Sequence, residues 1–206
     1  MEGEVLGLGF LASGGGTNMQ AIIDACRQGR LQAEPRVVVS NNSDSGALAR
    51  ARRAKIPAWH LSAATHRDPV GLDRAICQVL ERYTVDLVCL VGYMKRLGQA
   101  TLRAYRGRVL NIHPALLPKF GGQGFYGRAV HEAVLAAGES ESGATVHLVD
   151  EEYDQGPVVA QRRVPVLADD TSDTLAARVL EQEHLIYPET LQQIATGEIR
   201  LDASAP

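Results

Sequence analysis

Apolar positions recur along this chain with two periods, and their order is the first guide to its fold. Short apolar or β-branched runs at residues 5–12, 36–40, 57–61 and 86–91 read as strands, as does Arg108-Val109-Leu110, which ends at Asn111. The run at 86–91 is almost wholly apolar, as expected where both faces of a strand are buried. Helical spacing separates these runs. In residues 18–28, Met19, Ile22, Ile23 and Cys26 form one stripe and Gly29 is a stop. Asn41-Asn42-Ser43-Asp44 turns and caps a helix over 45–55. Residues 70–83 turn Leu72, Ala75, Ile76, Val79 and Leu80 inward, and a short helix spans 99–105. Such alternation predicts a Rossmann-like open α/β sheet, mostly parallel, with right-handed crossovers and helices on both faces.

After Pro118 the pattern changes. Phe120-Gly121-Gly122-Gln123-Gly124-Phe125-Tyr126-Gly127 is a glycine-rich loop, expected to be mobile. A short helix follows at 130–137, then strands at 144–149 and 158–166, close enough in sequence to form an antiparallel C-terminal extension. Residues 171–196 are mostly helical, capped near Asp170 or Ser172, kinked or broken at Pro188 and ended by Gly197. With no repeat, linker or low-complexity segment, residues 1–206 read as one continuous domain.

Composition narrows the functional classes. A net charge of −3 gives no electrostatic case for nucleic acid. The densest basic group, Arg50, Arg52, Arg53 and Lys55, lies on a helical pattern and reads as a solvated face. Cys26, Cys77 and Cys89 lack CxxC spacing and sit in apolar contexts, as buried thiols of a reducing compartment do. Glu2 and Glu4 stand where a signal peptide would carry basic residues, and no apolar run approaches the roughly 20 residues of a membrane span. A cytoplasmic protein with small-molecule substrates and no membrane or nucleic-acid partner is expected. Monomer and homodimer both stand.

The densest chemistry is Asn111-Ile112-His113-Pro114. An amide and an imidazole two residues apart at the end of a strand project to one side, at the edge where open α/β sheets bind ligands. Ser13-Gly14-Gly15-Gly16-Thr17-Asn18 joins the first strand to the first helix. Glycines that expose backbone N–H groups, together with a helix N-terminus, suit a phosphate. No Gly-Lys-Ser/Thr follows, and Met19 stands where a dinucleotide fingerprint needs its third glycine, so a phosphomonoester fits better than a pyrophosphate. Asp150 and Asp154 bracket Glu151-Glu152-Tyr153 before Gln155-Gly156-Pro157. If that loop folds over His113, a carboxylate there orients the imidazole and raises its pKa. His147 and His131 lack HxH or HExxH spacing, so no metal is expected and a structural role suits His147. Neither a thiol nor a Gly-x-Ser-x-Gly serine is placed as a nucleophile.

Together, Ser13 to Asn18, Gly92-Tyr93-Met94, Asn111-Ile112-His113-Pro114 with Leu116-Leu117-Pro118, Gly143-Ala144-Thr145-Val146-His147 and Asp154-Gln155-Gly156-Pro157 resemble the folate-dependent formyltransferases. The phosphate-suited loop favours the branch that acts on glycinamide ribonucleotide in de novo purine biosynthesis. The resemblance implies a phosphate-binding half up to about residue 110 and a folate-binding, catalytic half from about 111. It implies 10-formyltetrahydrofolate as co-substrate and no metal. Asn111, His113 and Asp154 match the catalytic residues, with Asp154 keeping His113 charged. Gly15, Gly16, Thr17, Asn18 and Glu183 match contacts to the ribonucleotide. Met94, Lys95, Arg96 and Leu97, with Asn111 and with Asp150, Glu151, Glu152, Tyr153 and Asp154, match the folate pocket. The family often carries an apolar residue where Arg96 stands. A folate-contacting arginine is expected near residues 65–70, where Arg67 alone occurs. Formyltetrahydrofolate deformylase, which uses the same trio with water as nucleophile, is the alternative within the superfamily; those proteins carry an added N-terminal domain. A non-catalytic sugar-phosphate binder would need the loop but not the trio.

Overall fold

The computed structural model describes residues 5–201. Glu2 and Glu4, on which the reading of the chain's start rests, lie outside them. Seven strands form one sheet in the order β3-β2-β1-β4-β5-β6-β7. β1 (Leu6–Ala12), β2 (Ala33–Ser40), β3 (Ala58–His60), β4 (Leu87–Leu90) and β5 (Val109–His113) run parallel. β6 (Glu141–Leu148) and β7 (Val158–Pro165) extend the sheet antiparallel. The helices are α1 (Thr17–Arg27), α2 (Gly46–Arg53), α3 (Pro69–Arg82), α4 (Gln99–Ala104), α5 (Arg128–Ala136) and α6 (Ser172–Ala195). Among the described residues no helix is long and apolar enough to cross a membrane.

Strand periodicity sorts the core into two faces. Leu8, Phe10, Val38, Cys89 and Leu110 pack with Met19, Ile22 and Ile23 of α1, Leu48 of α2, and Leu175, Val179 and Tyr187 of α6. Leu11, Val37, Val39, Val88, Leu90 and Val109 pack with Ile76 and Leu80 of α3 and with Tyr105. Burial of these side chains, each worth roughly 1.5–3 kcal/mol, holds the layers together. β1 is a barrier between two runs of the chain: β2 and β3 lie on one side of it, β4 and β5 on the other. Such a reversal opens a crevice at the carboxyl ends of β1 and β4, bounded by the loops after Ala12 and Leu90.

The structure corrects three local expectations. The cap of α2 is Ser45, whose hydroxyl accepts from the Leu48 N–H, not the 41–44 turn. α6 is capped by Thr171 in a reciprocal box with Thr174, while Asp170 is committed to Arg178 at 2.6 Å. α6 also runs unbroken through Pro188. Val179, Ile186, Tyr187 and Leu191 are buried on both sides of the proline, and that packing outweighs one missing backbone bond. Tyr187, fully buried, adds hydrogen bonds to the carbonyls of Leu110 (3.0 Å) and Leu90 (3.3 Å), tying α6 to the strands that end at the crevice.

Candidate active site

β5 delivers Asn111 and His113 to one face of the sheet, because Leu110 and Ile112, which alternate with them, belong to the opposite core. β6 pairs antiparallel with β5 and sets His147 opposite Asn111 and Thr145 opposite His113. Residues directly opposite share a face, so the register makes a four-residue cluster. The loop after β6 then returns Asp154 over it. Asp154 Oδ2 lies 3.6 Å from His113 Nδ1, and Oδ1 lies 3.5 Å from His147 Nε2. The Asp154 backbone sits at φ 56°, a region that disfavours side chains, and its carboxylate accepts the Gly122 N–H at 3.0 Å. Thr145 braces the chain beyond His113 by donating to the Ala115 carbonyl (2.6 Å) and accepting the Leu117 N–H (3.1 Å).

Proton positions follow from these partners. His147 Nδ1 donates to the Leu148 carbonyl at 2.8 Å, so in the neutral ring Nε2 accepts from the Asn111 amide at 3.0 Å. His147 therefore orients Asn111, a role that sequence reasoning reduced to structural support. His113 Nε2 donates to the Phe120 carbonyl at 2.8 Å. Burial, at 3 % exposure, pulls the His113 pKa below its ordinary value; Asp154 and the Phe120 carbonyl push it up without prevailing, and His147 lowers it further. Asp154 thus raises the His113 pKa, as expected of a carboxylate there, while desolvation is the larger effect. Burial also opposes ionisation of Asp154, yet the neighbouring His147 and His113 rings and the Gly122 N–H together hold its carboxyl below the usual value.

A cavity of about 810 Å³ opens on this cluster. Asn111, His113, His147 and Asp150 to Asp154 line it, with Met94, Lys95, Arg96 and Leu97 on the facing loop. Arg96 joins the two loops: its guanidinium bonds the Glu151 carbonyl and lies 5.9 Å over the Tyr153 ring. Glycine-rich residues Gly122 to Gly127 close another wall, held by the Phe120 and Gly122 contacts and by an edge-on pair of Phe120 and Phe125 rings. Arg67 is apart: it is exposed between β3 and α3 and does not line the cavity.

A second hollow of about 350 Å³ is lined by Ser13 to Asn18 with Val91, Gly92 and Met94, and Asn18 borders both. Among the described residues no side chain caps the start of α1, which begins at this hollow, so its first N–H groups have no side-chain partner there. Ser13 joins the subsites: its N–H donates to the Gly92 carbonyl (2.9 Å), and its hydroxyl accepts the Met94 N–H (2.7 Å) and donates to Asn41 (2.5 Å). From α6, Glu183 reaches Asn18 at 2.6 Å; burial pushes its carboxyl up to about 7 against that hydrogen bond. Burial likewise raises the thiols of Cys26 and Cys77 to about 11 and of Cys89 to about 12, so none is a poised nucleophile.

Comparison with known proteins agrees with this geometry. Over 195 residues the chain is 41 % identical to phosphoribosylglycinamide formyltransferase of Escherichia coli (strain K12), covering 95 % of this chain and 90 % of that one. It is 43 % identical to the chloroplastic phosphoribosylglycinamide formyltransferase of Vigna unguiculata, covering 93 % of this chain but 62 % of the longer relative. The crystal structure of glycinamide ribonucleotide transformylase 1 from Symbiobacterium toebii superposes with a TM-score of 0.91 at 41 % identity, over 98 % of this chain and 92 % of that one. A formyltetrahydrofolate deformylase from Pseudomonas syringae shares the fold, with a TM-score of 0.86 at 22 % identity, over 97 % of this chain and 64 % of that one. The formyl transferase family profile matches residues 8–191. With the Asn111, His113 and Asp154 cluster at the carboxyl end of the sheet and a match over most of its length, this chain belongs to the formyl transferase family.

Proposed function

We propose that the protein transfers the formyl group of 10-formyltetrahydrofolate to the amine of 5'-phosphoribosylglycinamide, residues 1–206 forming a single formyltransferase domain. One observation carries the reading: Asn111, His113 and Asp154 face a cavity that meets, at Asn18, a glycine-rich cradle at the start of α1, the kind of site that suits a phosphate. The names of the relatives support the same substrate. Gly15, Gly16, Thr17 and Asn18 hold the phosphate, and Glu183 accepts from the ribose. The pterin and its tail lie between residues 94–97 and 150–154, with Arg96 and Tyr153 across the opening.

The amine nitrogen attacks the formyl carbon, forming a C–N bond and a tetrahedral oxyanion. Asn111, oriented by His147, donates one hydrogen bond to it. His113 donates the other from Nε2, the oxyanion replacing the Phe120 carbonyl as acceptor. Each donor is worth roughly 3 kcal/mol in the transition state. Negative charge on the oxyanion raises the pKa that burial lowers, so the imidazole takes up the amine's proton as the oxyanion forms and yields it on collapse. Collapse breaks the bond from carbon to the folate nitrogen, which receives the proton that the amine loses. Asp154 stabilises the imidazolium during this step. Orientation of both substrates supplies most of the remaining acceleration.

Deformylation, with water replacing the amine, needs the same trio. Incubating the protein with 10-formyltetrahydrofolate, with and without 5'-phosphoribosylglycinamide, separates the readings. Formyl transfer only when the amine is present is expected; formate released at the same rate in both mixtures overturns the proposal.

A further inference from the structure

Among the described residues no lysine or arginine lines the 13–18 cradle, although the group it suits is a dianion. One stands behind it. Arg50, assigned by the hydrophobic pattern to a solvated helix face, instead directs Nε to the Gly15 carbonyl at 2.9 Å and Nη1 to Gln20 Oε1 at 3.3 Å. One peptide earlier, the Ala47 N–H at the start of α2 donates to the Gly14 carbonyl at 3.1 Å. Across a trans peptide, C=O and N–H point in opposite directions. Drawing the Gly14 carbonyl toward α2 therefore turns the Gly15 N–H away from α2. Drawing the Gly15 carbonyl toward Arg50 turns the Gly16 N–H away from Arg50. Neither N–H has a hydrogen-bond partner among the described residues, and both glycines line the cradle. Gly14 and Gly15 have open space where a Cβ would be, so no side chain of their own fixes these peptides and the two bonds help to hold them. Gly46 permits the close approach: a Cβ there would stand 2.8 Å from the Gly15 carbonyl oxygen.

We propose that Arg50 is the positioning residue of the phosphate subsite, fixing the Gly15–Gly16 peptide with its N–H aimed at the ligand and placing a positive charge behind the loop. Both hydrogen-bond partners of its guanidinium are neutral, and among the described residues it forms no ion pair. Burial, and after it the Arg50 charge, hold the pKa of the neighbouring His184 below its ordinary value. This inference rests on the phosphate reading of the loop.

The test compares the wild-type chain with Arg50→Ala, Arg50→Gln, Arg50→Lys and Gly46→Ala. KM is measured for both substrates, kcat at saturation, and inorganic phosphate binding by calorimetry. For Arg50→Ala, KM for 5'-phosphoribosylglycinamide should rise about tenfold, the worth of one charge-assisted hydrogen bond. KM for the formyl donor and kcat should hold within about twofold. Arg50→Gln should behave alike, Arg50→Lys should recover part of the loss, and guanidinium ion should rescue Arg50→Ala where sodium at equal ionic strength does not. Gly46→Ala, which displaces the loop from the same side, should raise the same KM. A purely structural arginine would instead lower the melting temperature and move both KM values together, with no guanidinium rescue. Unchanged phosphate affinity in Arg50→Ala overturns the proposal. A wild-type chain that binds neither phosphate nor the ribonucleotide overturns the substrate reading beneath it, a result distinguishable from the first.

Discussion

At the scale of single residues, the site works by opposing tendencies held close to balance. His113 is buried enough to resist charge, yet both its nitrogens face acceptors, the Phe120 carbonyl and Asp154, which only the imidazolium satisfies together. Asp154→Asn removes the carboxylate that pushes the His113 pKa upward, so that pKa falls further below its ordinary value. The imidazolium is then formed only at lower pH. The alkaline limb of the kcat/KM profile should move toward acid, with turnover at neutral pH reduced by about two orders of magnitude and partly restored on acidification. An NMR titration of His113 unchanged between the two proteins would remove Asp154 from the mechanism. Gly16 is constrained by backbone rather than charge: its φ is 73° and a Cβ would meet Ala47 Cα at 2.8 Å. Gly16→Val should therefore weaken ribonucleotide binding by an order of magnitude or more while sparing the formyl donor, and should cost about 2 kcal/mol of stability. Calorimetry with each ligand checks the split; equal loss of both would mean general misfolding.

At the scale of elements, short pieces depend on anchors supplied by distant ones. α4 has six residues, too few to hold alone, and no side chain of its own caps its start. Asp73 of α3 does so from outside, accepting from the Ala100 N–H (2.6 Å), the Thr101 N–H (3.2 Å) and the Thr101 hydroxyl (2.6 Å). Asp73→Ala leaves those buried donors unpaired and should cost about 3 kcal/mol in urea unfolding, with both KM values unchanged. A loss below about 0.5 kcal/mol would show that water replaces the carboxylate. Such anchors explain what the sequence could and could not disclose. Periodicity located every strand and helix, and the two-residue spacing of Asn111 and His113 placed them on one face. His147 escaped because its role depends on the β5–β6 register, which pairs it with Asn111 across 36 residues. Arg50 escaped because a basic helix face has the same pattern whether it meets water or a carbonyl. The Asp170 and Ser172 alternatives for the α6 cap missed Thr171 between them, since all three are good cap residues and only geometry chooses. Arg67 rests on the family resemblance alone, and it stands exposed, apart from the residues that line the cavity.

At the scale of the whole molecule, the site is assembled from nearly the full length of the chain, and part of its chemistry is held against stability. Glu183 comes from the last helix and Asn18 from the first, 165 positions apart, and their contact closes the crevice between the two subsites. Burying that carboxyl at 7 % exposure raises its pKa to about 7 from an ordinary 4.5. The folded state therefore binds a proton more tightly than the unfolded chain. Its contribution to stability is fully present below about pH 4.5 and is lost as pH rises through about 7. Glu183→Gln keeps the shape and abolishes the titration. Relative to wild type, the variant should be more stable at pH 8 by up to about 3 kcal/mol, with the advantage shrinking through neutrality and vanishing near pH 4. The same change should weaken ribonucleotide binding, because the ribose hydroxyls lose an anionic acceptor. In the wild type those hydroxyls favour the carboxylate form, so binding should release protons most strongly a little below pH 7, and calorimetry in buffers of different ionisation enthalpy reads that release directly. Denaturant unfolding of both proteins across pH 4 to 8 tests the first half. A stability difference that does not change with pH would mean that Glu183 titrates normally despite its burial, and that the contact between the two ends of the chain is ordinary packing.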